Sequence, residues 1–275
     1  MAPDPAPLFR PLRPDRFEPT DHSRGPWDHT LLHGGPVCGL LAHVAQAAVG
    51  ADRLMCSRLT VDLLRMVPLQ PVTARSRVVK RGNRSRVIDV ELDIDGQVVA
   101  RASSQWVAHH DGPSVPMATP DGQPPARPAE PTDPGASHHE YPRPGFNCDA
   151  AELRALVGST EESGPGCIWA RLTTQVVEGQ PVTPFTRAAT LSDWAAAVGW
   201  QHSATGSAFV NPDVTLQLAR QPIGPWVAVE ARNHQTAHQV GFNEGVLWDD
   251  HGQFGRVLQS LVESPIALSS EPPPV

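Results

Sequence analysis

An internal repeat constrains this chain more than any other feature of its sequence. The segment 59–107 aligns with the segment 211–262, so that Asp62 falls on Asp213. In the same alignment the turn DIDGQ at 93–97 falls on the turn DDHGQ at 249–253. A similarity of this length predicts two copies of one supersecondary unit that pack on each other, and a chain of 275 residues has room for both.

A proline-rich segment separates the two copies. Residues 112–144 read GPSVPMATPDGQPPARPAEPTDPGASHHEYPRP. Proline removes a backbone donor and fixes φ, so neither a helix nor a sheet can continue through this segment. We therefore predict an N-terminal unit at 1–111, an extended linker at 112–144 and a C-terminal unit at 145–275.

Each copy is predicted to combine an antiparallel sheet with one helix. In VIDVELDI at 87–94, apolar and acidic residues alternate with a period of two, which is typical of a strand with one buried face. A single apolar helix is predicted ahead of the strands in each copy, at 36–49 and at roughly 191–200. The expected fold class is α+β, with a sheet of about five strands wrapped around one central helix in each half and the two sheets side by side.

Composition excludes several classes of function. The net charge of −7 argues against a nucleic-acid partner, because phosphate binding needs a basic face. Apolar runs are too short for a membrane span, and the first residues lack the apolar core of a signal peptide, so we expect a cytoplasmic protein with no membrane partner. The four cysteines are widely spaced and predict neither a disulfide framework nor a metal site.

Motifs in both halves resemble the double-hotdog acyl-CoA thioesterases, the group that contains type II thioesterases and palmitoyl-CoA hydrolases. In the first half these motifs are RGPWDHTLLHGGPVCGLLAHV and RLTVDLLRMVPLQPV; in the second half they include LSDWAAAVG, FVNPDVTLQLARQP and GQFGRVLQSLV. The resemblance implies hydrolysis of an acyl-CoA or acyl-carrier thioester to the free acid, without a metal or bound cofactor. Oligomeric state stays open, and a homo-oligomer is one possibility.

The same resemblance implies a catalytic set in the second half. The family's aspartate falls on Asp193, its glutamine on Gln259 and its threonine or serine on Asn211, which departs from the family pattern but still donates and accepts hydrogen bonds. An aspartate can take a proton from water, and two amides can orient that water. An N-cap of the second helix is the alternative role for Asp193. The first-half counterparts of Asn211 and Gln259 are Thr60 and Ser103, so we expect one active site per chain.

Further residues are candidates for substrate binding. We expect Gly34 and Gly35 to allow close approach of the helix start to an acyl chain or a partner strand, and Trp194 to line the acyl pocket. The cluster RSRVVKRGNRSR at 75–86 predicts either a solvated hairpin or a site for the CoA phosphates. The candidate phosphate ligands in it are Arg81, Arg84 and Arg86.

Other chemistries fit the sequence less well. Cys38 lies between Val37 and Gly39 in an apolar helix, which favours a core thiol over a nucleophile. A hotdog enoyl-CoA hydratase would need an aspartate two residues before Asn211 and a histidine two residues after Pro212, and the sequence FVNPDVTLQL has neither at those positions. A non-catalytic or degenerate hotdog protein that binds an acyl ligand is the alternative to the enzyme.

Overall fold

The computed structural model describes residues 5–26, 28–50, 53–109, 123–130, 144–158, 164–199, 208–235 and 240–264. Both halves have the same order of elements: a hairpin, a helical region and then four long strands. The first half contains β1 (Phe9–Arg13), β2 (Arg16–Pro19), α1 (Gly34–Val49), β3 (Leu54–Leu63), β4 (Val72–Lys80), β5 (Ser85–Ile94) and β6 (Gln97–Ala108). The second half contains β7 (Ala151–Val157), β8 (Gly166–Leu172), α2 (Pro184–Ser192), α3 (Trp194–Val198), β9 (Ala208–Val210), β10 (Asp213–Leu218), β11 (Trp226–Gln235), β12 (Val240–Asp249) and β13 (Gly252–Ser264).

All of these strands belong to one continuous sheet. Their order is β1-β2-β4-β5-β6-β3-β10-β13-β12-β11-β8-β7, with β9 added beside β13. The two halves meet where β3 pairs antiparallel with β10, and there Asp62 lies directly opposite Asp213. The two residues that the repeat aligns thus face each other across the seam, as an approximate two-fold relation between the halves requires. The predicted α+β architecture with two sheets side by side is confirmed.

Among the described residues, each half has more strands than the five that the sequence predicted: six in the first half and seven in the second. The hairpins β1–β2 and β7–β8 extend the sheet outward beyond β4 and β11, and β9 adds a short strand beside β13. The sequence of β1, FRPLR, buries only its first residue and shows no alternation of apolar and polar side chains. Hydrophobic periodicity therefore carried no signal for this hairpin.

Helix α1 matches its prediction, except that it begins two residues earlier. His33 caps its N-terminus, because the His33 side chain accepts a hydrogen bond from the backbone N–H of Gly35. The helix ends at Gly50, whose left-handed conformation (φ 57°) is unfavourable for residues with a side chain. One face of α1 packs into the core through residues such as Leu40, Leu41 and Ala45.

The second helical region differs from its predicted span of 191–200. It begins at Pro184, seven residues earlier, where Thr183 and Thr186 form a reciprocal capping box and Pro184 occupies the first turn. Asp193 then separates α2 from α3, which ends at Val198. Trp200, the predicted end, lies outside the described residues.

Helices α1 and α2 pack against each other in opposite directions. The N-terminal part of α1 meets the C-terminal part of α2, where a Cβ at Gly35 would come within 2.6 Å of the carbonyl oxygen of Thr190. At the other end, the Thr183 hydroxyl donates to Oε1 of Gln46 at 2.7 Å. Close helix contact through glycine brings the start of α1 next to the junction between α2 and α3.

Part of the predicted linker docks on the outer face of the second half. Residues 123–130 form neither helix nor strand. The carbonyl oxygen of Pro125 accepts a hydrogen bond from Trp169 Nε1 at 3.1 Å, and Arg127 pairs with Asp250 at 2.9 Å. This segment is therefore fixed to the sheet, and the other residues of 112–143 lie outside the described part of the chain.

Within the described ranges, no helix is long and apolar enough to cross a membrane. The same ranges contain no group of three or more His, Cys, Asp or Glu side chains placed to hold a metal ion.

Candidate active site

Asp193 lies at the junction of α2 and α3, and its carboxylate does not cap a helix. Its backbone is helical (φ −62°, ψ −22°), and the side chain makes no capping hydrogen bond to α3. The residue is only 6% exposed. A buried carboxylate needs polar partners, and the structure supplies them from three other segments. Asp193 thus occupies the N-cap position of α3, but its side chain makes other contacts in place of a capping hydrogen bond.

Two of those partners are the amides expected from the sequence. Asn211, in the short connection between β9 and β10, donates from Nδ2 to Asp193 Oδ1 at 2.9 Å. Gln259 points inward from β13 and is 1% exposed. Its Nε2 approaches Asp193 Oδ1 at 3.4 Å and the Asp193 backbone oxygen at 3.5 Å, which are long distances for hydrogen bonds. The fold thus brings Asp193, Asn211 and Gln259 together from three separate elements.

The third partner, His33, comes from the first half and was not expected. His33 Nδ1 lies 3.1 Å from Asp193 Oδ2 and 2.9 Å from the backbone nitrogen of Gly35. One ring nitrogen carries either a proton or a lone pair at that position. It therefore donates to the carboxylate in the tautomer that has a proton on Nδ1, and accepts from the Gly35 N–H in the other tautomer.

The signal for His33 was present in the sequence but incomplete. His33 directly precedes the Gly34-Gly35 pair at the start of α1, where a capping residue was to be expected. Only the antiparallel packing of α1 on α2 shows that this cap position faces a carboxylate 160 positions further along the chain. No periodicity or motif spacing encodes a contact between two repeats.

Gly34 leaves the space that the carboxylate occupies. A Cβ at Gly34 would lie 2.7 Å from Asp193 Oδ2 and 3.0 Å from Asp193 Cγ. A Cβ at Gly35 would instead collide with Thr190 of α2 and with Phe146. The described neighbours of the two glycines are therefore Asp193, α2 and Phe146 and not a partner strand, and close approach to an acyl chain stays a prediction.

Aromatic rings surround His33 and exclude water from one side of the site. The ring of His33 lies 4.7 Å from that of Phe146 and 5.7 Å from that of Trp194. Phe146 belongs to a π-helical turn, Phe146–Ala150, close to the point where the linker rejoins the second half. Trp194 is buried, and its indole nitrogen has no hydrogen-bond partner among the described residues. The side-chain oxygen of Gln259 likewise has none in that part of the chain.

Cys38 is a buried neighbour of the site, in an environment that disfavours a nucleophilic thiol. Burial raises the pKa of the Cys38 thiol far above its ordinary value, and the negative charge of Asp193 raises it further. A thiol held in its neutral form is a weak nucleophile. The interpretation of Cys38 as a core residue agrees with this environment.

The corresponding positions in the first half form no carboxylate cluster. Thr60 lies opposite Thr215 at the seam, with 3.4 Å between their hydroxyl oxygens. Ser103 lies next to Thr60 on the neighbouring strand. Where α2 begins, the position related to His33 is Thr183, whose contact on α1 is the neutral Gln46.

The arginines predicted to bind phosphates lie away from Asp193. Arg86 donates from Nη1 to the carbonyl oxygen of Val49 at the C-terminal end of α1, whereas Asp193 lies at the N-terminal end. A helix of 16 residues separates the two ends, or about 24 Å at 1.5 Å per residue. Arg81 and Arg84 belong to the adjoining turn between β4 and β5. The structure does not bring these three side chains together with the polar cluster.

Comparison with protein families matches both halves. A model described as the acyl-CoA thioesterase N-terminal domain matches residues 23–106. A model described as the acyl-CoA thioesterase C-terminal domain matches residues 120–262. None of the curated protein sequences compared with the chain matches it significantly.

Solved structures share the fold over nearly the whole chain. A protein from Novosphingobium aromaticivorans assigned as a thioesterase has a TM-score of 0.71 and 21% identity, and the match covers 94% of this chain and all of that one. A hotdog-fold protein of unknown function from Alicyclobacillus acidocaldarius has a TM-score of 0.69 and 16% identity, covering 92% and 95% of the two chains. An acyl-CoA thioesterase II from Mycobacterium marinum has a TM-score of 0.63 and 14% identity, covering 96% and 97%. At these identities the similarity establishes the double-hotdog fold.

Proposed function

The chain belongs to the acyl-CoA thioesterase family and is a thioester hydrolase, and we propose that Asp193 is the general base that activates the attacking water. The observation that carries this proposal is the convergence of His33, Asn211 and Gln259 on one buried carboxylate. Family membership also favours an enzyme over a non-catalytic acyl-ligand binder.

In the proposed reaction, Asp193 takes one proton from water as the water oxygen forms a bond to the thioester carbonyl carbon. Negative charge then develops on the carbonyl oxygen. The N-terminal end of α1 lies against Asp193 and supplies the positive end of a helix dipole to this region. Collapse of the tetrahedral intermediate breaks the C–S bond, and the leaving thiolate recovers the proton held by Asp193 or takes one from solvent. The products are the free acid and CoA.

The amides are proposed to orient the water and the carboxylate. Asn211 donates a hydrogen bond to one oxygen of Asp193. This hydrogen bond is proposed to fix the carboxylate relative to β13. The side-chain oxygen of Gln259, which has no donor within the described ranges, can accept a hydrogen bond from water. Orientation of this kind accounts for a large part of enzymatic rate enhancement. The substrate is proposed to be an acyl-CoA, with an acyl-carrier thioester as the second source of the same bond.

A thiol-release assay tests this proposal. Acyl-CoA substrates of several chain lengths and an acyl-carrier thioester are incubated with the wild type, with Asp193→Asn and with Asp62→Asn. Asp62 is the matched control, because it is a carboxylate in the other half that pairs with Arg101 at 2.7 Å. We expect turnover by the wild type and Asp62→Asn, and a loss of at least about 100-fold in Asp193→Asn. Turnover by folded Asp193→Asn close to the wild-type rate would overturn the proposal.

A further inference from the structure

A row of three amide side chains crosses the inner face of the sheet behind the proposed active site. Asn243 on β12 lies opposite Gln259 on β13 and opposite Asn233 on β11. Asn243 is completely buried. Its inward-facing neighbours on β13, Val257 and Leu261, are apolar, so an amide at this position needs a specific explanation.

The hydrogen bonds of Asn243 run to the helical segment that carries Asp193. Its Nδ2 donates to the carbonyl oxygen of Ala195 at 2.8 Å and also to Oδ1 of Asn233. Ala195 lies two residues after Asp193. Gln259, the neighbour of Asn243 in the row, approaches both the carboxylate and the backbone oxygen of Asp193. Amides on adjacent strands thus contact the backbone at Asp193, directly before α3, and at Ala195, two residues further on.

Glycines allow α3 to lie close to this row. A Cβ at Gly199 would come within 2.8 Å of both Asn233 Oδ1 and Asn243 Nδ2. A Cβ at Gly245 would lie 2.6 Å from a methyl group of Val257 and 3.4 Å from Cβ of Ala195. With no side chain at either position, the amide of Asn243 reaches the α3 backbone directly.

Packing alone does not explain a buried asparagine here. Removing an amide from water is costly unless all of its groups find partners, and the side-chain oxygen of Asn243 has no donor among the described residues. An aliphatic residue would fill an inner-face position without this cost. What the amide adds is a directional hydrogen bond to Ala195, which fixes the position of α3 relative to β13.

We infer that Asn243 is a positioning residue for thioester hydrolysis, acting through Ala195 to hold Asp193 in register with Gln259. The inference rests on the proposed function of Asp193. A small displacement of a catalytic group is enough to slow a reaction by up to about 100-fold. Loss of the hydrogen bond to Ala195 therefore lowers kcat, while groups that bind the acyl-CoA stay in place and KM changes little.

The test compares Asn243→Asp, which keeps the volume but replaces the donor by an acceptor, with Asn243→Ser, which is too short to reach Ala195. We expect both variants to lower kcat by about 10-fold to 100-fold and to change KM by less than about twofold. Ser104→Ala is the matched control, because Ser104 is a buried hydroxyl of the first half that donates to Ile88 O at 3.0 Å and accepts from Trp106 Nε1. It should lose stability and keep its kcat.

The Asp193→Asn variant distinguishes failure of the positioning role of Asn243 from failure of the proposed function of Asp193. If Asp193→Asn is inactive but either folded Asn243 variant has the wild-type kcat, the positioning role is overturned and the proposed function stands. A fall in kcat of the same size in Ser104→Ala would also overturn the positioning role, because general destabilisation would then explain the effect. Turnover by Asp193→Asn would overturn the proposed function itself.

Discussion

His33 of the first repeat lies 3.1 Å from Asp193 of the second, measured from Nδ1 to Oδ2. Both side chains are about nine-tenths buried, at 10% and 6% exposure. This contact makes the proposed active site a product of both halves, although the carboxylate and its two amide partners all belong to the second half. The N-terminal end of α1 supplies its cap, His33, and the space left by Gly34. The junction of α2 and α3 supplies Asp193.

Replacing His33 by phenylalanine should slow the reaction without unfolding the protein. The variant keeps a ring between Phe146 and Trp194 but removes the nitrogen that faces Asp193. We expect kcat to fall by about 10-fold to 100-fold, as is typical when a residue that orients a reactive group is lost. His43→Phe is the control on the same helix: burial lowers the pKa of His43, and its ring packs on Phe17. Equal kcat values for the two variants would show that His33 has no part in catalysis.

Alanine substitutions at the two glycines that begin α1 should affect different properties: activity at Gly34 and stability at Gly35. In Gly34→Ala the new methyl group collides with the carboxylate of Asp193, which can rotate away, so we expect kcat to fall by at least about 10-fold with little change in Tm. In Gly35→Ala the methyl group collides with the Thr190 backbone, which cannot move without shifting α2. That variant should lose about 1–3 kcal/mol of stability. Thermal unfolding and initial rates measured on both variants test whether Gly34→Ala mainly loses activity and Gly35→Ala mainly loses stability. An unchanged kcat in Gly34→Ala would contradict this prediction.

Asn211→Asp should lower kcat more than Asn211→Ala does. It places a second carboxylate at the atom that now donates to Asp193 at 2.9 Å. The variant therefore adds repulsion between two negative charges to the loss of the hydrogen bond. Asn211→Ala removes the same hydrogen bond without adding charge. Equal kcat values for the two folded variants, measured at pH 7, would argue against contact between residue 211 and the base.

Cys38→Ala should retain turnover, because burial and the nearby charge of Asp193 raise the pKa of its thiol and keep it neutral. Burial also raises the pKa of Cys167 to about 12, so this thiol too should resist alkylation in the folded state. The measurement is residual activity and mass after treatment with iodoacetamide. Inactivation that parallels modification of Cys38 in the wild type, together with an inactive Cys38→Ala, would indicate a catalytic thiol instead.

An ion pair between Arg220, which follows β10, and Asp249 at the end of β12 should make the stability of the protein depend on pH in the acid range. Asp249 is fully buried; burial alone raises the pKa of its carboxyl, but hydrogen bonds from Arg220 and from the N–H groups of Ile223 and His251 outweigh this and lower it. Because the pKa of Asp249 is lower in the folded than in the unfolded state, the carboxylate stabilises the fold at any pH above its unfolded-state pKa of about 3.9. This stabilisation is lost as the pH falls through the folded-state pKa.

Arg220→Met should therefore cost about 3 kcal/mol at pH 7, since it leaves a buried carboxylate without its cation. The difference from the wild type should shrink as the pH falls, because the buried Asp249 takes up a proton at a higher pH in the variant than in the wild type, where Arg220 lowers its pKa. Denaturant unfolding at pH 7 and at pH 3.5 measures both values. A constant difference across this range would rule out the charge of Asp249 as its source.

The sequence determined the architecture because the signals that specify it are local or repeated. Alternation in strands such as 87–94, the turns at Asp93 and Asp249 and the capped helix α1 each depend on residues close in the chain. The aligned residues Asp62 and Asp213 lie opposite each other where the halves meet, although the alignment did not predict which strands pair there. The hairpin β1–β2 and the first turns of α2 escaped prediction, because FRPLR shows no alternation and the capping box at Thr183 was not recognised.

Three residues of the proposed site could be located from the sequence, but only through a resemblance to known thioesterases. Nothing in the spacing of Asp193, Asn211 and Gln259 indicates that they meet. The tertiary structure alone revealed His33 and Asn243, because each acts through a contact between segments far apart in the chain: one across the two repeats, the other from a strand to the backbone of α3. Local sequence sets which helices and strands form, whereas the packing of α1 on α2 and of α3 on the sheet decides which polar groups lose water together and so depend on one another.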